Sequence, residues 1–151
     1  MRPIIFLLLS IFCLPLLAQK SSRSRSAMDK VAIEKQQEEA LFKTLINDME
    51  AAYNEGRYLQ VAQYYHDDAI VSGGDNMVEG RDALDNYWED FFRIGGKWDL
   101  TILWERHYDN YVVQRGTSVI MQRNGEKSEV QFFLHWTKKE GEWKIAQDIY
   151  W

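Results

Sequence analysis

The sequence predicts an α+β fold, with three N-terminal helices packed on a strongly curved antiparallel sheet. Two periodicities and one set of breaks predict it. Apolar residues recur at helical spacing up to Phe92 and alternate at strand spacing after Gly96, and turn residues separate the runs. No internal repeat interrupts this order, so it describes a single core.

The N-terminus is read first, because it lies outside that core. Met1-Arg2 precedes an apolar run from Ile4 to Leu17 that only Ser10 and Pro15 interrupt. Such a run is too short for a membrane span of roughly 20 residues and suits the core of a secretory signal. Residues 1–18 are therefore expected to be a signal peptide cleaved after Ala18, giving a secreted or periplasmic protein with no stable membrane insertion. Acylation of Cys13 is the rival reading, but bulky Phe12 stands where a small residue is expected. Cleavage removes Cys13, the only cysteine, and one Arg, taking the formal net charge from −5 to −6. The exported chain is left with no thiol and no disulfide.

Residues 19–30 begin QKSSRSRSA, are Ser- and Arg-rich, and read as a polar tether before a domain over 31–151. Helical character sets in at Met28. Leu41, Leu45, Met49 and Ala52 form one stripe, flanked by Phe42, Ile46 and Tyr53. Asn54-Glu55-Gly56 stops that helix. A short helix over Tyr58–Tyr65 follows, with Asp67-Asp68 at its end and a strand at Ala69–Val71. Met77–Glu79 is a second extended piece, and Gly80-Arg81-Asp82 opens a third helix carrying Leu84, Tyr87, Trp88 and Phe91 near one face. Strands then run over Trp98–Trp104, Tyr111–Met121, Glu129–Lys138 and Trp143–Trp151, with Asn124-Gly125 and Glu140-Gly141 as hairpin turns. Trp143 and Ile145 are expected to close the last strand over the helices.

Composition bounds the function. At 46% hydrophobic and 14% aromatic residues the chain has ample apolar surface for a packed interior, and is not disordered. A pI near 5.2 and an excess of acids argue against a nucleic-acid surface. His66, His107 and His135 are far apart and lack metal-ligand spacing, so no metal site is expected, and His66-Asp67-Asp68 reads as a solvated helix end. No GxSxG turn, dinucleotide fingerprint or phosphate loop is present, so no cofactor is expected.

The segments YNEGRYLQVAQYYHDDAIVSGG, VEGRDALDNYWEDFF and WTKKEGEWKIAQDIYW, in that order, carry a family resemblance. Tyr53 and Gly56, Asp68-Ala69, Gly80 with Ala83, and the closing Gly-x-Trp-Lys-Ile of 141–145 are the matching features. Over about residues 35–151 the chain resembles the nuclear transport factor 2-like superfamily, and within it the small stand-alone SnoaL-like domains. The resemblance implies a cone-shaped sheet wrapped on the long helix, a pocket in the mouth of the cone, and a homodimer formed through the outer sheet face. It implies no single reaction, because the superfamily holds isomerases, dehydratases, cyclases and binding modules.

Acid–base chemistry in an apolar pocket is what the residues then leave open. Pairing the last two strands about Glu140-Gly141, with Lys139 opposite Glu142, puts His135 opposite Ala146 and Phe133 opposite Asp148. In that register His135 and Asp148 share a face as diagonal neighbours. A carboxylate raised toward neutrality by burial, beside an imidazole, would form a proton shuttle. Asp148 and His135 are thus the candidate catalytic pair, and Tyr53, Tyr64, Trp88, Trp104 and Arg106 the candidate pocket lining. Glu105 and His107 form a weaker second pair, expected to be solvated. The expected ligand is a small apolar or weakly polar organic molecule, and the competing expectation is a non-catalytic dimerisation or association module.

Overall fold

The computed structural model describes residues 15–151, with side chains from residue 28 onward. Most of the expected signal peptide, including Ile4 and Cys13, lies outside the described residues. Helix α1 spans Pro15–Asn54 and takes in the stretch read as a polar tether. That stretch contains no Gly or Pro, and adding residues to an existing helix costs far less than nucleating one.

Residues 1–42 and 43–151 form two compact units. Where described, the first is the N-terminal part of α1. Lys30–Glu34 and Lys35–Glu39 pair at helical spacing there, both exposed, and such pairs stabilise a helix by only about 0.2–0.5 kcal/mol.

The second unit holds the rest of α1, then α2 (Tyr58–Ala62), β1 (Tyr65–Gly73), β2 (Asn76–Glu79), α3 (Arg81–Ile94) and four long strands. These are β3 (Lys97–His107), β4 (Tyr111–Met121), β5 (Lys127–Lys139) and β6 (Glu142–Tyr150). They join one six-stranded sheet in the order β2-β1-β6-β5-β4-β3. The fold is therefore α+β with a mostly antiparallel sheet, as expected. One pairing departs from a plain meander: β1 runs parallel to β6.

Two boundaries also moved. The second helix ends at Ala62 rather than Tyr65, and Tyr65 to Asp68 already belong to β1. His66 is consequently not a solvated helix end. It is buried, and its Nε2 lies 2.9 Å from Thr137 Oγ1.

The buried ridge of α1 is Phe42, Ile46, Met49, Ala52 and Tyr53, while Leu41 is exposed. The stripe thus sits one residue off the expected centre. At its C-terminal end the helix is tied to β3 by polar side chains. Glu50 accepts from the Leu100 N–H, and the Asn54 amide both accepts from the Trp98 N–H and donates to its carbonyl, each at 2.8 Å.

Alternation along the strands gives one inner face carrying Trp98, Val112, Gln114, Ser118, Ile120, Phe132, Leu134, Trp136 and Ile145, all buried. Ile145 is fully buried as expected, whereas Trp143 is partly exposed and lies near Lys138. Trp136 is the completely buried tryptophan of this sheet.

Candidate functional site

Asp148 owes its position to a slip in strand register. From the Lys139↔Glu142 end, β5 and β6 pair as the sequence predicts through Trp136↔Ile145. The ladder then shifts and resumes at His135↔Gln147 and Leu134↔Asp148, leaving Ala146 as the extra residue of a bulge. One residue of slip turns every following side chain to the other face. Asp148 therefore joins Leu134 on the inner face, and His135 lies on the outer one beside Tyr111, ring centroids 5.5 Å apart. The expected Asp148–His135 pair does not form.

Asp148 instead meets tyrosines. The parallel β1·β6 pairing sets Val71 beside Asp148 and Tyr65 beside Ile145, and the Tyr65 hydroxyl donates to Asp148 Oδ2 at 2.8 Å. Arg81 fixes the start of β1, its guanidinium donating to the Ala62 and Tyr65 carbonyls at 2.8 Å each. Tyr150 follows Asp148 by two residues on the same face. Gly73 allows this, because a Cβ there would collide with the Tyr150 ring. Helix α3 brings Tyr87 to the same wall, within electrostatic reach of Asp148 and Tyr150.

These groups line a cavity of about 360 Å³, within the size range of small-molecule sites. Trp88, Phe91, Trp98, Leu100, Phe132 and Leu134 build most of its wall. Gly116 leaves room for Phe132 in the same way that Gly73 does for Tyr150. The wall's two indole N–H groups differ. Trp98 donates to Ser118 Oγ at 2.8 Å, whereas the buried Trp88 N–H has no hydrogen-bond partner among the described residues.

Burial pushes the Asp148 carboxyl up from 3.8 to about 6, against the opposing effect of the Tyr65 hydrogen bond. Burial, then the Asp148 charge, pushes Tyr65 and Tyr87 well above 10, so both hydroxyls keep their protons. No lysine, arginine or histidine lines the cavity among the described residues. The arrangement can accept a proton at Asp148 and donate hydrogen bonds from tyrosine hydroxyls, in a site whose other surfaces are largely apolar.

Of the expected lining residues only Trp88 belongs to the cavity. Tyr53 is fully buried behind it, edge-on to Trp88 and Trp98 at 6.5 and 5.1 Å, with its hydroxyl donating to the Phe91 carbonyl and its pKa raised by burial to about 12. Tyr64 is partly exposed and outside the cavity wall. Trp104 and Arg106 stack on each other on the exposed side of β3, 5.1 Å apart. Tyr65, Tyr87 and Tyr150 were missed by sequence reasoning. Their one signal was aromatic density, which did not separate them from the other tyrosines.

Glu105 and His107 are hydrogen-bonded to each other and largely buried, not solvated. Glu105 also accepts from the buried Gln114, which in turn accepts from the Trp136 indole at 2.8 Å. This chain lies outside the cavity wall. No group of residues fit to hold a metal ion occurs among the described residues, and no described helix is long and apolar enough to cross a membrane.

Residues 46–146 match the SnoaL-like domain family. No relative was found among curated protein sequences. Among solved structures, an NTF-2 like protein of unknown function from Shewanella oneidensis MR-1 superposes with a TM-score of 0.65 at 18% identity, covering 72% of this chain and 94% of that one. A ketosteroid isomerase-like protein from Erwinia carotovora atroseptica SCRI1043 superposes with a TM-score of 0.62 at 18% identity, over 74% of this chain and 92% of its own. A function-unknown protein from Mycobacterium tuberculosis gives a TM-score of 0.67 at 19% identity, over 79% of this chain and 74% of its own. At such identities the likeness is one of fold.

Proposed function

This chain belongs to the SnoaL-like domain family, and from that premise we propose that it is an exported protein that binds a small, predominantly apolar organic molecule in the cavity under its sheet. The observation that carries the proposal is Asp148, a largely desolvated carboxylate on a cavity whose wall is mostly aromatic and aliphatic. Such a wall holds a ligand by contact area, and one strong hydrogen-bonding group orients it. Asp148 is the anchor and proton acceptor, Tyr65 holds its Oδ2, and Tyr87 and Tyr150, on the same cavity wall, supply hydroxyl donors. A base and a donor placed around one bound molecule are the components of an isomerase- or lyase-type proton transfer. His135 has no part in it.

Mass spectrometry of small molecules extracted from the purified protein tests this proposal. Asp148→Asn is nearly isosteric, so it should weaken retention of the bound compound while leaving the circular dichroism spectrum unchanged. A wild-type protein that carries no compound, with a variant that unfolds, would make Asp148 a structural residue.

A second reading has its own observation. Leu103, Trp104, Ile149 and Trp151 are large hydrophobic residues left exposed, and Trp104 and Ile149 flank Arg115 and Phe133 on the outer sheet face. A patch of this kind suits association with a second copy of the chain. We propose a homodimer through it, compatible with ligand binding on the inner face. Sedimentation of the wild type against Trp104→Glu tests the dimer.

A further inference from the structure

The cavity carries charge of one sign only. Among the described residues its wall includes the carboxylates of Asp148 and Asp90 and no basic side chain. Asp90 is exposed and already paired with Arg93 at 2.9 Å. Asp148 has no such partner: Tyr65 donates to Oδ2, and no described residue donates to Oδ1. The rings of Tyr65, Tyr87, Trp88, Phe132 and Tyr150 share the cavity wall with it.

We propose that the cavity selects an organic cation, an apolar body bearing one protonated amine, with the ammonium placed between Asp148 and the aromatic wall. This deepens the reading of the cavity as a ligand site and rests on it. The physical argument is one of complementarity. An ionised carboxylate in apolar surroundings is costly unless it is paired. Folding has already taken much of the Asp148 carboxylate out of water, so a cation arriving there meets an acceptor that has given up part of its hydration beforehand. Aromatic faces add to the same preference, because their quadrupoles attract cations. An anionic ligand meets the reverse: a like charge, no basic group, and a low dielectric that strengthens the repulsion. A neutral ligand gains the contact area but leaves the carboxylate without a counter-charge.

Three probes of one shape and three charges separate these cases: 1-aminoadamantane, 1-adamantanol and adamantane-1-carboxylate, titrated calorimetrically into the wild-type protein at pH 7.5. The amine should bind at least about tenfold more tightly than the alcohol, in line with the greater strength of charge-assisted hydrogen bonds, and the carboxylate should not bind. In Asp148→Asn the amine and alcohol should bind alike. Lowering the pH to 5 should weaken the amine alone, since the groups facing Asp148 are otherwise tyrosines (Tyr65 from β1, Tyr87 from α3, Tyr150 on β6) and Leu134 on β5, none of which changes charge there. An alcohol that binds as well as the amine in the wild type overturns the cation preference and leaves the ligand site standing. If none of the three binds, the ligand site itself falls. Both outcomes are read from the wild type, so neither depends on the variant folding.

Discussion

Two polar clusters sit on the inner face of the same sheet and are built on opposite principles. In one, Trp136 donates to Gln114, Gln114 donates to Glu105, and Glu105 meets His107, so that each group is used by the next. In the other, Asp148 receives one hydrogen bond from Tyr65 and otherwise faces a cavity. Both lie among aromatic residues and both contain a carboxylate. What separates them is closure. A closed chain of hydrogen bonds fixes how strands pack, since every buried polar group has its partner. An open one keeps a polar group available at a cost in stability, as ligand sites do. Polarity in the core is therefore no guide to function until its partners are followed to the end.

The largest effect that would test this contrast is in the closed chain. Gln114→Leu keeps the bulk but leaves the Trp136 indole N–H without its acceptor and takes one donor from Glu105. Stranding buried partners in this way costs about 1–3 kcal/mol each, so a loss of about 3 kcal/mol and a melting temperature lower by roughly 10 °C are expected. Binding of 1-aminoadamantane should persist in the folded variant. A cost below about 1 kcal/mol would show that the chain is not what holds this end of the sheet.

The two clusters were also unequally legible in the sequence. Element types came through because apolar periodicity is local: the α1 ridge, the α3 face around Trp88 and the four long strands all follow it. Asp148 was singled out from a register that put it on one face with His135. Its partner was missed because a single bulge at Ala146 reverses which residues face inward, and no alternation pattern announces a bulge. Tyr65 was missed for a different reason. It reaches Asp148, 83 residues away in sequence, through a parallel pairing of strands, and its own segment, YHDD, reads as a helix end. The Gln114 chain joins three strands, so only its one-strand part, Glu105 and His107, was picked out, and its burial was missed for the same cause. Local chemistry is written locally, whereas a site that several strands share appears only once register is known.

The open cluster should reveal its cost through pH. Asp148 titrates near 6 in the folded protein, above its ordinary 3.8, so the folded state binds its proton more tightly than the unfolded state does. Stability from this group is therefore greatest in acid, falls as pH rises from about 4 to about 6, and stays low above that. Asp148→Asn carries no charge at any pH. The variant should match the wild type near pH 4 and exceed it by about 2 kcal/mol at pH 7.5, once the full shift is discounted for the solvent that reaches the cavity. Urea midpoints at the two pH values measure this. A variant less stable than wild type at pH 7.5 would place Asp148 with the closed cluster.

The smallest expected effect is the most discriminating, because it applies one substitution to two residues of one wall. Trp88 and Trp98 are both buried, lie 5.3 Å apart, and share Tyr53 and Phe91 as ring neighbours. Replacing either by Phe removes similar area and leaves a ring in place. Their N–H groups distinguish them: Trp98 donates to Ser118, and Trp88 donates to no described residue. Trp98→Phe forfeits that hydrogen bond and strands a hydroxyl, adding about 1–2 kcal/mol to the loss of packing. Trp88→Phe removes a buried donor that was already unmet, and the relief offsets the lost area, so its stability should stay within about 1 kcal/mol of wild type. Urea denaturation of the two variants gives the difference directly. Equal costs would mean that the Trp88 N–H is satisfied in solution, and that this wall of the cavity is closed after all.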